Sequence, residues 1–65
     1  MILRIRQERM SRNWTQGFVA EKIGITQTML QKVEASKRKP SYEVLVKLED
    51  LFNLSHRELF REIDD

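Results

Sequence analysis

A chain of 65 residues with no cysteine, one histidine, two glycines and one proline has room for a single domain over 1–65, and it lacks the side chains for disulfides or a metal site. At 40% hydrophobic and 34% charged it reads as globular, and no apolar run nears the ~20 residues that cross a bilayer. The net charge of +2 divides unevenly: residues 1–40 carry nine Lys and Arg against three Glu (+6), and residues 41–65 carry three cations against seven acids (−4). A basic half beside an acidic one suits a protein that lays one face on a polyanion. The absence of cysteine, and an N-terminal stretch without a signal peptide's apolar run, set the expected compartment as the cytoplasm.

Apolar residues recur at helical spacing, and no alternating run persists, so the expected fold is all-α with no strand. The first helix is expected from Ile2 to about Arg12, ending near Asn13. The second opens with Thr15 as N-cap and a Trp14–Val19 staple, and Gly24 closes it. The third follows at once from Thr26, stapled by Ile25 and Leu30, and runs to about Ala35. After the basic loop Ser36 to Pro40, a fourth helix from Ser41 to Phe52 aligns Val44, Leu45, Leu48, Leu51 and Phe52 on one stripe, and Asn53 can end it in αL. A fifth opens on a Ser55/Glu58 capping box with a Leu54–Leu59 staple, and Phe60 and Ile63 continue its apolar side, so that helices four and five fill residues 41–63.

Residues 15–35 carry the functional signal. Two short helices crossing steeply around a tight turn need a small residue at the crossing, here Ala20, and a residue free to take positive φ in the turn, here Gly24. Val19, Ile23, Ile25, Leu30 and Val33 fill the space between them. The outer side of the third helix is polar and free of acids, presenting Gln27, Thr28, Gln31 and Lys32. Glutamine can bond adenine N6 and N7 together, Lys can donate to guanine O6 and N7, and Thr can meet a base or the thymine methyl. Lys37, Arg38 and Lys39 follow directly, placed for phosphates. Trp14, Phe18, Phe52 and Phe60 sit at staple or stripe positions and are expected in the core, and His56 is expected in solvent. No Ser/His/Asp set, glycine-rich phosphate loop or pair of inward carboxylates supports catalysis.

Taken together, the stretches RIRQERM with WTQ, VAEKIGITQTMLQKVE, the KRKP loop and LFNLSHRELF resemble the Cro and phage-repressor class of helix-turn-helix proteins, the XRE family, over Leu3 to Phe60. That resemblance implies a compact five-helix domain of the lambdoid repressor type. It also implies a transcriptional repressor that binds a palindromic duplex DNA operator as a homodimer, with its third helix in the major groove. No cofactor, small-molecule ligand or membrane is implied, and the setting is the bacterial nucleoid or a phage-infected cell. By position, Gln27, Thr28, Gln31 and Lys32 face bases. Thr15 and Gln16, together with Ser36, Lys37, Arg38 and Lys39, face phosphates, Gln16 acting with nearby backbone amides. A different class, a protein-binding antitoxin or adaptor, uses the same fold.

Two positions depart from the family pattern. Gly17 replaces a polar helix former, at a cost of up to about 1 kcal/mol to the second helix, and Ala35-Ser36 replaces a common Asn-Gly. Arg9 falls inside the apolar arc of the first helix, between Ile2 and Ile5, and Glu34 lies beside Leu30 on the inward side of the third. Similar repressors pair an Arg with a Glu here, which implies an Arg9–Glu34 ion pair. Leu54, Leu59, Phe60 and Ile63 remain as an apolar cluster for a dimer interface.

Overall fold

Residues 2–64, those described by the computed structural model, form five helices and one short strand pair. In chain order these are β1 (Ile2–Leu3), α1 (Arg4–Ser11), α2 (Gln16–Ile23), α3 (Gln27–Glu34), α4 (Tyr42–Phe52), α5 (His56–Leu59) and β2 (Glu62–Ile63).

Four of the helices start where a side chain satisfies a free N–H. The hydroxyl of Thr15 accepts from Phe18 at 3.0 Å, Thr26 from Met29 at 3.0 Å, Ser41 from Val44 at 3.3 Å and Ser55 from Glu58 at 3.4 Å. Such a cap stabilises its helix by about 1 kcal/mol, a large share of what a domain this small can muster. Two of the helices stop on a left-handed residue, Gly24 (φ 75°) after α2 and Asn53 (φ 56°) after α4. A Cβ on Gly24 would meet only the Lys47 amine, at 3.8 Å, so glycine is needed there for its backbone and not for space.

Three expectations are corrected. Ile2 and Leu3 do not begin the first helix: they form β1, antiparallel to β2, with Ile2 opposite Ile63 and Leu3 opposite Glu62. The Arg4 N–H then donates to the Arg61 carbonyl at 2.9 Å, so a free amide of α1 is satisfied by the far end of the chain. The fifth helix is correspondingly short and ends at Leu59, leaving Ile63 in β2. The capping box is half made, because the Glu58 carboxylate is taken by Arg4.

Leu3, Ile5, Val19, Ala20, Ile23, Leu30, Leu48, Phe52 and Leu59 form the core, drawn from every helix and from β1. Trp14 packs over its edge, its ring centroid 5.4 Å from both Phe18 and Phe52; Phe18, expected in the core, is exposed. Arg12 covers this cluster, 5.5 Å from the Trp14 centroid and 5.2 Å from that of Phe52, and donates to the Phe52 carbonyl at 3.2 Å, at the negative end of α4.

Glu8 joins the ends of α1. Its carboxylate meets Arg12 at 2.6 Å and Arg4 at 2.9 Å, and these two guanidinium bonds hold its pKa below the usual carboxylate value. A depressed folded pKa means that the stabilisation is present above the unfolded pKa, about 4.3, and is lost as pH falls through the folded value. Glu8→Gln is therefore expected to lower the melting temperature at pH 7, and the gap from the parent should narrow as pH drops below about 4. Thermal melts from pH 7 to pH 2 check this, and a gap constant across that range contradicts it.

Candidate nucleic-acid interface

The second and third helices are locked together from inside. Ala20 is buried at their crossing, and the Ile25 N–H reaches back to the Ala20 carbonyl at 3.0 Å to close the turn. With Leu30, Val33 and Glu34 turned inward, α3 presents Gln27, Thr28, Gln31 and Lys32 to solvent as one exposed face. Beyond it the chain turns on Ser36 (φ 60°), and the Lys37 N–H donates to the Lys32 carbonyl at 2.8 Å. That bond holds the exposed Lys37, Arg38 and Lys39 beside the C-terminal end of α3. Thr15 is also exposed, its hydroxyl oxygen engaged as the cap of α2.

Glu34 is the one buried charged residue among those described, its side chain 4% exposed. Arg9 grips it with two parallel bonds, Nε to Oε2 at 2.8 Å and Nη2 to Oε1 at 3.2 Å, and donates a third to the Trp14 carbonyl at 2.9 Å. The Gln16 amide adds a bond to Glu34 Oε1 at 3.1 Å. One carboxylate thus fixes α1, the start of α2 and the end of α3 relative to one another. Charge-assisted, bidentate bonds in a shielded site are the kind that hold such an arrangement rigid. Gln16, assigned to phosphate from the sequence, has its amide nitrogen on Glu34 in the free protein.

A groove of ≈ 340 Å³ opens beside this network, lined by Arg6, Arg9, Gln16, Gln31, Glu34 and Ala35. Arg6 was not among the sequence candidates. It is exposed, it shares the groove with Gln16 and Gln31, and it stands three residues before Arg9 on α1, on the same side of the helix. That spacing from a residue already placed against α3 was the available signal.

The C-terminal cluster divides. Leu59 is fully buried in the monomer core, so its assignment to a dimer interface is withdrawn: its surface is already used. Leu54 and Phe60 are half-buried against the core, and Ile63 is half-buried in β2. His56 is exposed but engaged, its backbone N–H donating to Glu49 at 2.6 Å with Nδ1 2.9 Å from the same oxygen, and the backbone bond first, then the ring, lower the Glu49 pKa. Among the described residues no group of acidic or imidazole side chains is placed to hold a metal ion, and no helix is long and apolar enough to cross a membrane.

The helix-turn-helix family model matches residues 5–59 of this chain. The N-terminal DNA-binding domain of SinR from Bacillus subtilis is similar in structure, with a TM-score of 0.76 at 27% identity, over 95% of this chain and 91% of that one. No curated protein sequence matches the chain. With the family model spanning most of the chain and an acid-free polar face on the outer side of its third helix, the protein belongs to the XRE-type helix-turn-helix family of DNA-binding transcription regulators, and it works by binding and not by catalysis.

Proposed function

We propose that this regulator is a cytoplasmic repressor that binds a palindromic operator as a homodimer, needing no cofactor or small-molecule ligand. The observation that carries the reading is the exposed face of Gln27, Thr28, Gln31 and Lys32, bordered by Arg6 and Gln16 on one side and by Lys37, Arg38 and Lys39 on the other. Base edges are met by the centre of that strip. Phosphates are met by its two borders, with Thr15 and Ser36 contributing hydroxyls. Gln16 keeps one amide hydrogen on Glu34 and offers the other to a phosphate, so the contact would rest on a side chain already held in place.

Gel shifts over a series of salt concentrations test this. Binding must weaken with salt, and Lys37→Ala should weaken all duplexes alike and lower the slope of log affinity against log salt by about one. Absence of any salt-dependent shift would leave the protein-binding reading of the fold in its place.

The homodimer is assigned to the apolar remainder at the chain's end, now Leu54, Phe60 and Ile63. A two-fold axis there would set two copies of α3 about 34–36 Å apart, one turn of B-DNA. Glu62 and Asp64 beside it keep that surface off the phosphates. Sedimentation of Ile63→Glu should show a monomer that still binds half-sites weakly. A folded dimer with intact binding to the full palindrome would move the interface elsewhere.

A further inference from the structure

An apolar pair could fill the space between α1 and α3 as well as Arg9 and Glu34 do, since exchanging a buried ion pair for side chains of similar volume is often neutral for folding. What an apolar pair could not do is hold Gln16. Arg9 fixes the main chain two residues before it, through the Trp14 carbonyl at 2.9 Å, and Glu34 fixes its side chain, Oε1 accepting from Gln16 Nε2 at 3.1 Å. Glu34 is itself anchored, because it is buried and Arg9 takes both of its oxygens, at 2.8 and 3.2 Å. The sense of the contact is set as well. A carboxylate paired with a guanidinium has only lone pairs to offer, so it accepts from the amide nitrogen of Gln16 and repels the carbonyl oxygen. A flipped amide would set lone pair against lone pair.

We infer that Arg9 and Glu34 are positioning residues for phosphate contact: Glu34 turns the nitrogen of the Gln16 amide inward and Arg9 holds Glu34 in place, so that Gln16 meets DNA already in its binding orientation. The inference rests on the reading that Gln16 contacts a phosphate. Gln16 is half-buried and lines the groove with Arg6 and Gln31, where its second amide hydrogen is the donor that remains. A phosphate oxygen only accepts, so this is the face of the amide that suits it. A side chain ordered in advance loses less freedom on binding, which strengthens the contact it makes.

Arg9→Met with Glu34→Leu removes the pair without stranding a charge. It is compared with the parent, with Gln16→Ala and with the triple variant, on a duplex selected by the parent from a random pool and on single base-pair changes of it. Gln16→Ala and the double variant should each weaken binding roughly 3- to 10-fold on every duplex alike, with base discrimination intact. Adding Gln16→Ala to the double variant should cost roughly 2-fold or less, because the anchor of Gln16 is already gone. Losses that multiply in the triple variant overturn the inference, as does a double variant that binds like the parent while Gln16→Ala does not, and Gln16 then keeps its phosphate. A double variant that loses base discrimination has shifted α3 as a whole, a purely structural role, and overturns it too. If Gln16→Ala binds like the parent, the phosphate role of Gln16 fails, and the inference with it. The parent alone supplies a check that needs no variant to fold. Nitrogen relaxation by NMR should give the Gln16 side-chain amide an order parameter of about 0.8, against values below about 0.6 for the exposed Gln7 and Gln27. A Gln16 amide as mobile as theirs would show that Glu34 does not hold it, and the inference falls.

Discussion

Arg9→Met should leave most of the protein unfolded at room temperature, whereas Arg9→Met combined with Glu34→Leu should restore a cooperative fold. The single change leaves Glu34 buried, with only the Gln16 amide to answer its charge. Stranding one member of a buried pair costs about 3–5 kcal/mol, and a domain of this size has about that much stability in total. Replacing both members with apolar side chains of similar volume removes the stranded charge and is often close to neutral. Recovery should fall short of complete, because the Trp14 carbonyl also loses its Arg9 donor. Urea denaturation of the four proteins of this double-mutant cycle checks the prediction, and additive losses would show that the two side chains do not act as a unit.

Lys32→Ala and Gln31→Ala should change what the protein recognises without changing how stably it folds. Both side chains are exposed on α3 and neither contributes to the core. A good bidentate base contact contributes about 1–3 kcal/mol of discrimination, or roughly 5- to 150-fold between the right base pair and a wrong one. Each variant should lose discrimination of that order at one base pair and keep the parent's melting temperature. Competition binding against singly substituted duplexes measures it. A loss spread evenly over all sequences would reassign Lys32 to phosphate, alongside Lys37, and no loss would remove α3 from the groove.

The parts of this fold that were legible in the sequence are those with local causes. Thr15, Thr26, Ser41 and Ser55 mark helix starts because the group each one satisfies is three residues away. Gly24 and Asn53 mark stops because the backbone there must turn left-handed. The Arg9–Glu34 contact is long in sequence: each residue stood out locally, as a charge on the apolar side of its own helix, and the pairing of the two was implied by the resemblance to the repressor class. What escaped depends on partners far along the chain. Two-residue strands have no periodicity to detect, and Ile2 fits a helical wheel as well as it fits a ladder with Ile63. The Glu58 carboxylate could not be taken from its capping role on paper, since Arg4 stands 54 residues away. Leu59 looked available for a partner because the fifth helix was expected to run on to Ile63, with Phe60 and Ile63 continuing its apolar side; it ends at Leu59, which is buried in the core.

The clasp between Ile2–Leu3 and Glu62–Ile63 bears on how the protein answers to mechanical load. Because Ile2 lies opposite Ile63 in an antiparallel ladder, the chain enters and leaves the domain at the same end of that ladder. A force that pulls the two ends apart meets the hydrogen bonds in single file and opens them like a zipper, whereas a parallel arrangement of the same strands would have to be sheared all at once. Tension would strip away β1 and β2, then tug at the Arg4 N–H to Arg61 carbonyl bond, long before it reached the Ala20–Ile25 turn that joins α2 to α3. The recognition unit is thus insulated from strain transmitted through the polypeptide on either side of it.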